Sequence, residues 1–135
     1  MEKVELLDFD IKGDYNGYLT AIEGNVSIPF EIKRIFYIFD TKKGIVRGQH
    51  ANLKSRFILV SVKGDCKVLA DNGKEKETFI LDRPYKGLYL EKLVWKDMFD
   101  FSPDCILLVI SDCLYDSSEY IRDYNEFVSI VHKNS

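Results

Sequence analysis

Nine short runs of β-branched and aromatic residues, each bounded by turn-forming punctuation, set the limits on how this chain folds. They are VELLDF (4–9), YLTAIE (18–23), RIFYIF (34–39), RFILVSV (56–62), CKVLA (66–70), ETFIL (77–81), GLYL (87–90), VWKDMF (94–99) and CILLVI (105–110). Side chains branched at Cβ, or carrying rings, fit a pleated and half-buried surface, whereas the Gly, Pro, Asn and Asp between them favour turns. Even spacing with short connections predicts an antiparallel sandwich or barrel, because parallel βαβ units need longer crossovers. The stretch ADNGKE (70–75) predicts a hairpin, since Asn-Gly accepts the positive φ angles of a type I′ turn.

The period changes near the C-terminus. In DSSEYIRDYNEFVSIV (116–131), Tyr120, Ile121, Tyr124, Phe127, Val128 and Val131 recur at helical spacing and predict a helix with one core-facing stripe. Asp116, three residues before Glu119, has the spacing of a capping box. No repeat, low-complexity tract or linker interrupts the chain. Its 135 residues read as a single domain, 1–135, large enough to bury a core.

Composition removes several function classes. The net charge is −3 and there is no basic tract, so general nucleic-acid binding is not expected. The opening MEKVELLDFD has neither a basic n-region nor an apolar h-region. The longest apolar run, CILLVI, is far short of the roughly 18–20 residues that span a bilayer. No membrane partner and a cytoplasmic location are therefore expected. Three cysteines without a C-x-x-C suggest neither a disulfide framework nor a thiolate zinc site, and Cys66 and Cys105 are expected to be buried packing residues. Glycine-rich phosphate loops and the nucleophile elbow are absent.

Only two histidines remain as candidate chemistry, His50 in RGQHANLKSRF (47–57) and His132 beyond the helical stripe. The nearest approach to H-x-H is His50-Ala51-Asn52, so neither a metal nor a cofactor is expected. An imidazole titrates near neutrality and can take and return a proton. Arg47, Lys54 and Arg56 stand nearby, and guanidinium forks suit phosphate oxygens. The local pattern thus leaves two readings: proton chemistry on a phosphorylated or nucleotide-linked small molecule, or an exposed histidine on a basic strand edge.

The longer context resembles a known family. RGQHA, preceded by IKRIFYIFD (32–40), resembles the sugar 3,4-ketoisomerases that act on dTDP-4-keto-6-deoxyglucose. The likeness extends through AIEGNVSIPF (21–30), VKGDCKVLADNGKEKE (62–77), GLYLEKLVWKDMFDFSPDCILLVISDCLYD (87–116) and EYIRDYNEF (119–127). It implies an all-β cupin fold, a jelly-roll barrel (double-stranded β-helix) with a short C-terminal helix over 116–131. It implies a metal-independent isomerase without cofactor that supplies a 3-keto sugar for amination, toward 3-amino-deoxysugars of surface glycans such as lipopolysaccharide. It also implies a homodimer that exchanges its N-terminal strands, residues 1–10.

The resemblance assigns roles as well. His50 would be the base that removes the C3 proton, Asn52 a hydrogen-bond donor to the enediolate oxygen, and Tyr37 a proton relay or sugar contact. Arg47, Lys96, Arg34, Lys54, Trp95 and Asn16 would contact the dTDP-linked keto-sugar. Three of these positions depart from the family pattern. The motif R-G-x-H-A-H ends here in Asn52, Lys96 follows Trp95 where histidine or arginine is usual, and Asn16-Gly17-Tyr18 covers a position that carries arginine or tyrosine. Two alternatives accompany the resemblance: a 3,5-epimerase using the same base, and a non-catalytic nucleotide-sugar-binding homologue.

Overall fold

A computed structural model describes residues 1–134. Twelve strands run in order: β1 (Val4–Asp8), β2 (Ile11–Asp14), β3 (Gly17–Thr20), β4 (Arg34–Phe39), β5 (Arg47–Asn52), β6 (Phe57–Lys63), β7 (Cys66–Asp71), β8 (Lys76–Leu81), β9 (Lys86–Leu90), β10 (Trp95–Phe99), β11 (Ile106–Ser111) and β12 (Tyr120–Ile121). A 3-10 turn at Ser117–Glu119 precedes β12, and helix α1 (Tyr124–Lys133) closes the chain. Among the described residues no helix is long and apolar enough to cross a membrane.

Two five-stranded antiparallel sheets face each other, in the orders β1-β9-β6-β11-β4 and β12-β5-β10-β7-β8; β2 and β3 form a separate hairpin. Strand side chains alternate between faces, so each sheet sends every second residue inward. Phe57, Leu59, Leu88, Leu90, Leu107 and Val109 from the first sheet meet Val68, Ala70, Leu81 and Met98 from the second. Cys66 and Cys105 are buried and unpaired in this core, as their strand context predicts. This is the all-β cupin barrel with a short C-terminal helix.

Both sheets are also covered outside. Phe9, Ile28 and Phe30 pack on Ile58, Val60 and Ile110 of the first sheet. Phe127 and Val131 of α1 pack with Ala51, Leu93, Trp95 and Ile121 against the second. The amphipathic stripe is therefore core-facing, but the helix begins at Tyr124 instead of near 116. Tyr120 and Ile121 are taken by β12, which pairs with Asn52 and Ala51, so they cannot be helical. Asp123 then supplies the N-cap through the amides of Asn125 and Glu126, while Asp116 caps only the 3-10 turn.

The 70–75 hairpin forms with a different turn. Gly73 has φ of 89° but Asn72 is not in the left-handed region that a type I′ turn needs. Residues 72–75 instead form a longer loop in which Asn72 Oδ1 accepts from the amides of Lys74 and Glu75, both at 2.9 Å. A Cβ on Gly73 would lie 2.7 Å from Val131, so this glycine lets α1 dock.

Candidate active site

Regular alternation would place Arg47 and His50, three residues apart, on opposite faces of β5. A β-bulge prevents this. Lys96 pairs with His50 and Asp97 with Gly48, which leaves Gln49 as the extra residue. Gly48 and Gln49 have φ of 85° and 57°. A Cβ at Gly48 would stand 2.8 Å from the carbonyl oxygen of Lys96, so only glycine fits there. As a result Arg47, His50 and their cross-strand neighbour Lys96 all line one cavity of about 200 Å³ between the sheets, bordered by Phe36, Phe57 and Tyr120 among others. Sites for whole drug-sized ligands run to roughly 300–1,000 Å³, so this space suits the reacting end of a larger ligand.

His50 is held neutral and oriented. Its Nδ1 lies 3.0 Å from the carbonyl oxygen of Gly48. A carbonyl can only accept, so Nδ1 carries the hydrogen and Nε2 is the basic nitrogen. The ring packs on Tyr120 with centroids 4.7 Å apart. Burial, reinforced by the charge of Lys96, lowers the His50 pKa to about 4.

Lys96 and Asn52 form a buried pair beside it. Lys96 Nζ donates to Asn52 Oδ1 at 3.3 Å and sits 4.5 Å over the ring of Phe57. Burial pushes its pKa down to about 7, against a smaller opposing pull from Glu119. Asn52 is 1% exposed and its Nδ2 has no hydrogen-bond partner. A buried amide donor left unpaired is costly and marks a place where an acceptor belongs.

The other expected residues divide. Tyr37 borders the cavity, but Arg34, Phe36 and Ile38 take the more buried face of β4, and Tyr37 is 60% exposed. An inward-pointing Tyr37 is therefore not what the strand's alternation produces. Arg34 does face inward. Its guanidinium lies over Phe36 and Tyr115, and Nε and Nη2 are buried without hydrogen-bond partners. Trp95 is adjacent to Lys96 and so points the opposite way, packing edge-on against Tyr124 beneath α1. Lys54 is exposed and paired with Asp116 at 2.9 Å, and Asn16 lies at the exposed tip of the β2–β3 hairpin. Trp95, Lys54 and Asn16 are thus not brought to the His50 cavity within one chain.

Three participants escape sequence reasoning. Tyr120 forms a wall against His50, and Arg122 stacks its guanidinium 5.0 Å over the Tyr120 ring. Glu119, a capping-box partner by its spacing, is buried and accepts from the amides of Lys54 and Ser55 and from the Ser55 hydroxyl. It thereby fixes the chain as it leaves β5. Apart from the Arg122–Tyr120 stack, these contacts join residues more than sixty positions apart, and only the aromatic content of EYIRDY hints at them. Among the described residues no three His, Cys, Asp or Glu side chains cluster as metal ligands.

Known proteins place this chain in a family. Residues 2–132 match the family model described as FdtA: WxcM-like, C-terminal. This chain belongs to that family. It is 45% identical over 120 residues to a TDP-4-oxo-6-deoxy-α-D-glucose-3,4-oxoisomerase of Aneurinibacillus thermoaerophilus, covering 89% of this chain and 86% of the relative. Among solved structures it resembles WlaRA, a TDP-fucose-3,4-ketoisomerase of Campylobacter jejuni, at TM-score 0.91 and 45% identity over 96% of both chains. It also resembles QdtA, a sugar 3,4-ketoisomerase of Thermoanaerobacterium thermosaccharolyticum in complex with TDP, at TM-score 0.95 and 38% identity over 99% and 98% of the two chains. The WxcM-like ketoisomerase family is that of small enzymes with the cupin barrel seen here, as the sequence resemblance implies.

Proposed function

We propose that this family member moves the carbonyl of a dTDP-linked 4-keto-6-deoxyhexose from C4 to C3 through an enediol, with His50 as the base. The observation that carries the reading is a neutral, oriented imidazole in a partly open cavity between the sheets, in a chain 45% identical to a named 3,4-oxoisomerase. The C4 ketone acidifies the C3 proton, Nε2 of His50 accepts it, and the developing enediolate oxygen gains the unpaired amide of Asn52 as donor. Arg47 at the cavity and the unsatisfied guanidinium of Arg34 supply cations for the diphosphate, a role in which bidentate donors are effective. The 3-keto product would then be aminated, toward a 3-amino sugar of surface glycans.

We further propose that two copies assemble by exchanging residues 1–10. β1 is a sheet-edge strand, and the hairpin after it exposes Ile11, Tyr15, Tyr18 and Leu19. In such a dimer Asn16, at that hairpin's tip, would be free to approach the partner's pocket.

Incubation with dTDP-4-keto-6-deoxyglucose in D2O, followed by NMR, tests the reaction. Deuterium uptake and a 3-keto product are expected, with both abolished in His50→Gln. Inversion at a carbon without carbonyl migration would establish the epimerase alternative instead. Binding of dTDP without turnover would establish a non-catalytic homologue.

A further inference from the structure

The enediol must be reprotonated at C4, and one histidine already carries the proton taken from C3. We propose that Lys96 is the acid that delivers the second proton, with Asn52 as the positioning residue that aims it. This rests on the ketoisomerase reading above.

The geometry comes from the sheet. Lys96 and His50 are directly paired across β10 and β5, so their side chains leave the same face and enter one cavity. The Lys96 ammonium has three N–H donors. One is held by Asn52 Oδ1 and the charge rests over the Phe57 ring. Asn52 Oδ1 is the acceptor the structure gives this ammonium among the described residues. Its own Nδ2 is unpaired, so the same amide can hold Lys96 on one side and an enediolate oxygen on the other.

Other donors at the cavity are less suitable. Arg47 lines it, but a guanidinium does not give up its proton in proteins. Tyr120 has its ring against the base, and Tyr37 is mostly exposed. Glu119 lies outside the cavity lining and already accepts three hydrogen bonds from Lys54 and Ser55. The titratable and charged side chains that line the cavity with Lys96 are His50 and Arg47 from β5, Tyr120 from β12 and Tyr37 from β4. The charge that acts on the ammonium itself is that of Glu119 in the 3-10 turn, while Arg122, just past β12, acts on His50.

The proton inventory closes. The C3–H bond breaks, its proton goes to His50 Nε2 and its electron pair becomes the C3=C4 bond while the C4 oxygen takes the negative charge. The O3 hydroxyl proton passes to O4, C3=O forms, and the C3=C4 pair takes a proton from the Lys96 ammonium at C4. Lys96 ends as the neutral amine and His50 as imidazolium. One proton passed from His50 to Lys96, adjacent in the same cavity, restores both. An ammonium whose ionisation is brought near neutrality by burial suits such a donor.

The test separates enolisation from isomerisation. Wild type and Lys96→Met are given dTDP-4-keto-6-deoxyglucose in D2O between pH 6 and 9, and NMR follows C3 exchange and 3-keto product separately. Lys96→Met should keep C3 exchange within about tenfold while product formation falls by about 10²–10⁴-fold, the usual range for loss of an acid/base group. In wild type the ratio of exchange to product should rise with pH as the ammonium is lost. Asn52→Asp, which places a carboxylate against Lys96, should move that rise to higher pH. Unchanged product formation in Lys96→Met, joint loss of exchange and product in a folded variant, or a flat wild-type ratio would each overturn the assignment. The wild-type ratio decides the matter alone if the variant does not fold. A wild type that neither exchanges nor isomerises removes the ketoisomerase reading itself.

Discussion

Lys96 stands 4% exposed in the barrel, and its effect on stability has a definite sign with pH. Its folded pKa of about 7 lies below the ordinary value of 10.5. Between those values the unfolded chain binds a proton that the folded chain does not, so stability rises with pH across that window. Below about pH 7 both states are charged and the folded state bears the full cost of the buried ammonium. Lys96→Met should therefore melt at a higher temperature than wild type at pH 6, by a margin equivalent to about 1–3 kcal/mol, and that margin should shrink toward pH 10. Calorimetric melts at the two pH values check it, and a margin independent of pH would contradict the buried charge. His50 acts on the acid side. Its folded pKa of about 4 lies below the ordinary 6.5, so the unfolded state takes up a proton first as pH falls. Stability is lost between pH 6.5 and 4, on the order of 1–3 kcal/mol. His50→Gln should flatten that segment of a denaturant-midpoint profile.

The element that organises the site is β5, and it is the one that propensity alone passes over. RGQHAN contains no β-branched or aromatic residue, and its strand conformation comes from pairing with β10 on one side and β12 on the other. The other barrel strands of more than two residues announce themselves by composition, within a residue or two at their ends, because their own side chains fill the core. The RGQHA resemblance identifies His50 and Arg47, but not the bulge that turns them to the same face. Nor does local pattern separate Lys96 from Trp95, although one-residue alternation sends one into the cavity and the other under α1. Gly48 holds the bulge. Gly48→Ala requires an L residue at φ of 85° with its Cβ 2.8 Å from the Lys96 carbonyl oxygen. The expected cost is about 1–3 kcal/mol in chemical denaturation, together with reduced turnover as Arg47 and His50 lose their common orientation. A variant with wild-type stability and activity would show that the bulge is not needed.

At the scale of the molecule, the barrel buries its interior but leaves a sheet edge unguarded. β4 is the outermost strand of the first sheet, and its outward residues Ile35 and Phe39 are 54% and 59% exposed, in line with the exposed Tyr37. Natural edge strands are usually protected by charge, proline or a covering segment, and a row of apolar side chains on one is a site for association. Together with the exposed apolar hairpin of β2 and β3, it gives the proposed dimer two separate apolar surfaces on each copy. Lysine at both positions keeps the inward side chains of β4 and adds charge only where the strand faces out. The double variant Ile35→Lys, Phe39→Lys should therefore remain folded by circular dichroism, yet shift the mass measured by light scattering from dimer toward monomer. If β4 forms no part of the assembly, the variant keeps the wild-type mass. If residues 1–10 are exchanged, removing them should also release monomers, and because β1 then leaves β9 exposed, those monomers should melt at a lower temperature than the β4 variant.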